Sequence, residues 1–564
     1  MTILAYNDVN ALDWPTVQPH VDALLAVTLN AANVEAWLRQ WSALEAVLEE
    51  AGAQIYREIT ENTADTAAEQ RFTHFIEEII PQAKHAEQAL KQKLLALPDY
   101  VPAADAVLLL RRFRSEADLF RAENVPVESK LDGLGNQYNK IVGGMTISWQ
   151  GAQETVAQAT SRLQGPDRAE REAVWHGIMQ RYLQERSALN DLYLAMLPLR
   201  RTVAAQAGFA NYRDFRWLQL GRFDYRADDA FTFHDAIEHE VVPLATQLYQ
   251  QQAARLGIER LRPWDVDADP DGEPLQPFTE AAALETGAQH IFDQVDPVLA
   301  GYFRAMRIGY LDLASRPNKA PGAYCNGFPV SGKPYIQMNG VGTQTDVFTL
   351  LHEGGHAFHF MESQCQPLVW NMNGPMEFCE VASMSMELLS VPYLAQDQGG
   401  FQMNAAAARR AYANKLRKIV LFLPYMAVVD AFQHWVYADA PQTVTADDLD
   451  TVWAGLWDRF LPGIDYRGLA TEKATGWQRK GHIFEAPFYY IEYGLAQLGA
   501  LQVWRNALTD QAQAVAAYRS ALALGYTRPL PELFAAAGAR FAFDRQTVGD
   551  LMALIKEQLA LLEG

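Results

Sequence analysis

The segment TDVFTLLHEGGHAFHF contains His352-Glu353-Gly354-Gly355-His356. Four residues make slightly more than one helical turn, so both imidazoles project from one face and can bind a single metal ion. Glu353 lies beside them, and Asp346 is placed to cap the helix. With zinc in that position, a water becomes acidic enough to yield a nucleophile near neutral pH. The neighbouring carboxylate takes its proton as it attacks a carbonyl.

The competing reading is a helix with two incidental histidines. Adjacent glycines inside an otherwise strong helix cost about 1 kcal/mol each, so their presence implies that another element or a ligand approaches the backbone there. A third ligand is also at hand in GPMEFCEVASMSMELL, where Glu377, Glu380 and Glu387 alternate with Phe378, Val381, Met384 and Leu388 at helical spacing. Carboxylates on a half-buried helix are costly unless paired or metal-bound, so one is expected as a ligand and another as its supporting partner. Spacing leaves Glu377 and Glu380 both open. A metzincin site would need Gly and His where His359 and Glu362 stand, so His359 reads as an ordinary helix residue.

Peptide hydrolysis also places negative charge on a tetrahedral oxygen, which needs donors preorganised around it. The run GHIFEAPFYYIEYG offers His482, then Pro487 at a plausible first helical position, then Tyr489, Tyr490 and Tyr493. Ordinary aromatic core is the alternative for each tyrosine. The strand candidate PYIQMNG runs toward the histidine motif; it either offers an exposed edge to an extended peptide or merely supports the helix.

The elements that must position these groups are mostly helical. From Asn33, a suitable N-cap, Val34, Trp37, Leu38, Trp41, Leu44 and Leu48 recur at helical spacing. Similar stretches cover residues 72–97, 104–123 and 166–208, and helix resumes after Asp346. Residues 261–278 and 315–342 read as irregular. The 564 residues, 49% of them hydrophobic, can bury more than one structural layer. We expect an N-terminal helical lobe over residues 1–195 and a catalytic region over 196–564.

A formal net charge of −21 repels phosphate backbones and anionic lipid, which argues against nucleic-acid or membrane partners. No basic leader precedes an apolar run, and the three cysteines, Cys325, Cys365 and Cys379, show no paired spacing. A reducing cytoplasm is therefore the expected compartment.

Three segments in order, GAYCNGFPVSGKPYIQMNGVGTQTDVFTLLHEGGHAFHF, MEFCEVASMSMELL and GHIFEAPFYYIEYGLAQL, resemble the oligoendopeptidase F and thimet oligopeptidase family, most closely its bacterial Pz-peptidase branch. The likeness covers roughly residues 320–500. It implies one zinc ion per chain held by His352, His356 and Glu380, with Glu387 supporting the ligands and Glu353 as general base. It further implies that His482 and a tyrosine pair, matched here by Tyr490 and Tyr493, face the metal. The glycine-rich lead-in of the animal members is replaced by HIFEAP, which leaves Tyr489 in reserve. The implied fold is mainly α, with two lobes around a deep central channel and a small β-sheet beside the zinc helix. The implied substrates are short unstructured peptides cut internally. A zinc carboxypeptidase or peptidyl-dipeptidase on a similar scaffold, and a peptide-binding protein without turnover, are the alternatives.

Overall fold

The computed structural model describes residues 9–563 except 99, 271–273, 317, 321 and 402, and excludes the side chains of residues 136, 139 and 157. Helix accounts for 70% of the chain and strand for 5%, as the Ala- and Leu-rich periodicity predicts. Two compact units are each assembled from three stretches. The first comprises Met1–Phe120, Gln276–Ala411 and Ala496–Phe541, and the second Arg121–Leu275, Tyr412–Leu495 and Ala542–Gly564. The cut expected near residue 195 falls inside the continuous helix Arg186–Gln206, which buries Leu192, Met196, Leu197 and Arg200 on either side of that point.

In the first unit, helix Val34–Glu61 buries Val34, Trp37, Leu38, Trp41 and Leu44, while Leu48 is partly buried against the same cluster. Trp41 meets Trp370 edge-on with ring centroids 4.6 Å apart, and Phe113 closes the cluster 5.1 Å from Trp41. Asn33 stands at the N-cap position, but its side chain does not cap the helix; its Oδ1 accepts from the Asn30 N–H at 2.9 Å.

The first unit also holds a three-stranded sheet in the order β3-β5-β4, with β3 at Leu311–Ala314, β4 at Tyr324–Phe328 and β5 at Lys333–Gly340. β5 is parallel to β3 and antiparallel to β4. The segment PYIQMNG, read either as an exposed edge or as support for the helix, is thus the central strand, with both of its edges paired. β3 and the hairpin partner β4 are the two side strands of the sheet.

The second unit contains a hairpin that the sequence reading missed, β1 Thr146–Trp149 with β2 Ala152–Thr155. Its signal is Gln150-Gly151, which take φ of 48° and 85°, the left-handed pair of a tight hairpin turn. The stretch Ala405–Asp439 is long and apolar enough to span a bilayer, but 72% of its apolar window is buried inside the protein. It is therefore a core helix.

Candidate functional site

Helix Gln344–Ser363 holds the histidine motif and Met376–Leu389 holds the glutamates. The first begins in a capping box. Thr343 is its N-cap, and Asp346, expected to be the cap itself, sits three residues in and accepts from the Val341 and Thr343 N–H groups at 2.9 and 2.8 Å. The paired glycines explain how the two helices come so close. A Cβ on Gly355 would lie 2.5 Å from Ser383 Cα and 2.6 Å from the Ala382 carbonyl oxygen, and one on Gly354 would lie 2.9 Å from the Phe292 ring. The approaching element that the glycines predict is the glutamate helix. Tyr518 also holds that helix, its hydroxyl donating to the Ala382 carbonyl at 2.8 Å.

Across this contact Glu380 Oε2 lies 3.3 Å from His352 Nε2 and 3.7 Å from His356 Nε2. One donor atom from each of the three residues falls within 4.8 Å of the others. Glu377 is buried but outside this group. His352 turns its Nδ1 to Glu387 Oε1 at 3.0 Å; an ionised carboxylate only accepts, so Nδ1 donates and Nε2 is aimed at the shared point. Ser383 Oγ donates to Glu380 Oε2 at 3.0 Å.

The charges agree with a site built for a cation. Burial would raise Glu380, but His356, His352 and Ser383 outweigh it and hold the carboxyl at about 2. Burial would lower His352, but Glu380 and Glu387 raise it well above the ordinary imidazole value. His356 is held down at about 4, burial outweighing Glu380. Two imidazole nitrogens and one carboxylate fit zinc with an open fourth position. Burial, assisted by Glu380 and Glu387 against His352, pushes Glu353 up to about 7, in the range suited to a general base. Cys325 on β4 lies near Glu353: burial and then the Glu353 charge push its thiol up. His359 points elsewhere. It packs on Phe378 with ring centroids 5.9 Å apart, and burial with His356 nearby keeps it neutral, with a pKa of about 3.

The second unit gathers the aromatic donors. The His482 ring lies 5.9, 5.1 and 5.8 Å from the rings of Tyr489, Tyr490 and Tyr493. Pro487 does not begin a helix here. Helix Gly481–Glu485 ends, Phe488 turns back with φ of 66°, and the next helix starts at Tyr490. A left-handed phenylalanine costs about 1–3 kcal/mol and needs holding. The Phe488 N–H donates to Gln433 Oε1 at 2.8 Å, and Arg222 donates to the Phe488 carbonyl at 2.5 Å and to Glu492 Oε1 at 2.8 Å. Arg216 reaches the Pro487 carbonyl at 3.3 Å. Arg200 donates to the carbonyls of Ile483 and Phe484 and to the Tyr437 hydroxyl.

The profile of peptidase family M3 matches residues 162–551, well over half of the chain. This chain belongs to peptidase family M3. Within the family, it is 22% identical over 395 residues to an oligoendopeptidase F homolog of Borreliella burgdorferi, covering 66% of this chain and 62% of that protein. The chain thus spans about three fifths of that relative's length. A solved structure described as Pz peptidase A with inhibitor 2 superposes with a TM-score of 0.91 at 26% identity, covering 99% of this chain and 98% of that one. Another, provisionally described as an oligoendopeptidase F, gives 0.90 at 28% identity over 98% and 97%.

In this M3 chain the structure brings His352, His356, Glu380 and Glu353 together in the first unit, and His482, Tyr489, Tyr490 and Tyr493 together in the second. What sequence reasoning missed is the set of residues that hold the second group. Arg200 is 283 residues from the Ile483 carbonyl that it binds, and Arg222 is 266 residues from that of Phe488. No local pattern marks such pairs.

Proposed function

We propose that this chain is a zinc-dependent endopeptidase that hydrolyses internal bonds of short, unstructured peptides. The observation that supports the reading best is the convergence of His352, His356 and Glu380 within 4.8 Å, with Glu353 buried beside them. His352, His356 and Glu380 would hold the ion, and Glu387 would orient His352 through Nδ1. Bound zinc supplies a Lewis acid that polarises the scissile carbonyl and makes a water nucleophilic near neutral pH. Glu353 accepts the proton of that water as it attacks, then returns it to the departing amine. His482, Tyr490 and Tyr493 are assigned hydrogen-bond donation to the oxygen that becomes negative, on their donor chemistry and their clustering. An extended peptide has main-chain groups to pair with the edge of β4, the strand whose Cys325 lies near Glu353. A reducing cytoplasm is the compartment proposed for the protein, on three cysteines without paired spacing in the sequence.

Incubating a defined peptide mixture with the chain, with and without chelator, and reading the products by mass spectrometry tests the proposal. Cleavage within peptides blocked at both ends, abolished by chelator and restored by zinc, is expected. Release of residues from free ends alone would replace the endopeptidase with an exopeptidase, and no chelator-sensitive cleavage would reject the function.

A further inference from the structure

The chain has well-buried lysines whose charge is matched by acidic partners. Lys91 Nζ lies 2.7 Å from Glu87 and 2.6 Å from Glu116, and Lys319 Nζ lies 2.9 Å from Asp312 while also donating to three carbonyls. Lys480 differs. Its half-buried ammonium sits 4.2 Å from the centroid of the Tyr490 ring and 5.6 Å from that of Tyr425. Among the described residues no carboxylate comes within ion-pair distance of it. Burial lowers its pKa to about 8, with no acidic neighbour acting against that burial. Aromatic faces attract a cation but offer it no acceptor lone pair of the kind that a carboxylate supplies.

We infer that Lys480 forms a subsite for a peptide carboxylate beside His482 and Tyr490. The inference rests on the peptidase reading and narrows it, because Tyr490 is both the platform under the ammonium and one of the proposed oxyanion donors. A carboxylate docked on Lys480 would lie against the same Tyr490 ring that is assigned to oxyanion donation. That carboxylate comes either from the C-terminal end of a short peptide or from an internal Asp or Glu. An anchored end would select short peptides by length, whereas an anchored side chain would select them by sequence.

The test is equilibrium binding to the full-length chain carrying Glu353→Gln, loaded with zinc so that peptide is bound but not consumed. One fluorescently labelled peptide sequence is used in three forms: a free C-terminal carboxylate with an internal Gln, a C-terminal amide with the same Gln, and a C-terminal amide with Glu in place of Gln. At least one anionic form should bind about tenfold more tightly than the neutral form, and which one does so identifies the source of the carboxylate. Lys480→Met should remove that preference while leaving the neutral peptide's affinity unchanged, and Lys480→Arg should keep most of it. Equal binding of all three forms, or no binding of any, would overturn the subsite. So would an equal loss for all three forms in Lys480→Met, which would mark the lysine as support for the aromatic packing. Hydrolysis of the same peptides by the parent chain is read separately: a Lys480-dependent preference without hydrolysis would reject the peptidase reading and leave the subsite standing.

Discussion

The His352–Glu380 centre and the His482–Tyr493 cluster both set polar groups among apolar ones, but they are assembled in different ways. In the first, two neighbouring helices are drawn together over glycine, and the polar groups satisfy one another by charge, His352 lying between Glu380 and Glu387. In the second, the His482 and tyrosine rings make ring-to-ring contacts, and the backbone beneath them is held by Arg200, Arg216, Arg222 and Gln433 from distant parts of the sequence. In the first arrangement the polar side chains that meet lie at most 35 residues apart, from His352 to Glu387. The second is dictated by residues that have no chemistry of their own to perform.

The comparison can be broken most severely at Gly355. In Gly355→Val the added atoms would meet Ser383 and Ala382 on the neighbouring backbone, which cannot swing aside as a flexible side chain can. Overpacking of this kind costs about 1–3 kcal/mol or more. Zinc content and peptidase activity should both be lost, while Gly354→Ala, whose neighbour is the Phe292 ring, should be milder. Metal analysis and thermal unfolding check both variants; normal zinc content in Gly355→Val would mean that close helix approach does not build the site.

A cleaner cut separates holding the metal from using it. Glu353→Gln is nearly isosteric but cannot take a proton, so turnover should fall by about 10²- to 10⁴-fold with zinc retained. Near-parental turnover, in a preparation free of parental enzyme, would remove Glu353 from the role of base.

In the second region, Tyr490→Phe and Tyr493→Phe each remove one hydroxyl from a ring that should pack unchanged. If that hydroxyl binds the developing oxyanion, kcat should fall by about 10²- to 10³-fold with KM and zinc content little altered. A raised KM with kcat preserved would instead make the tyrosine a substrate-holding group. If neither variant changes either constant, the segment is aromatic core.

The smallest effect is expected where the first region supports its own ligands. Glu387→Gln keeps an acceptor near His352 Nδ1 but removes the charge, so zinc affinity should weaken by about 10- to 100-fold, measured by competition with a chelator of known affinity. An unchanged affinity would show that orientation of the ring, and not the charge behind it, is what matters.

The sequence determined by itself whatever depends on the period of a helix and the chemistry of neighbours along it. The four-residue spacing placed His352 and His356 on one face, the glycine pair announced a close approach, and the apolar repeat from Val34 to Leu44 announced the buried face of a long helix. Tertiary structure alone decided what depends on elements meeting from afar. It brought Glu380 and not Glu377 to the two histidines, a choice that spacing had left open and only the family resemblance had implied. It made β5 a central strand and not an edge, since pairing with β3 on one side and β4 on the other is not encoded in PYIQMNG. It also replaced a helix start at Pro487 with a left-handed turn at Phe488. A side chain in that backbone region is disfavoured locally, and it persists because Arg222 and Gln433 occupy both hydrogen-bonding groups of its backbone.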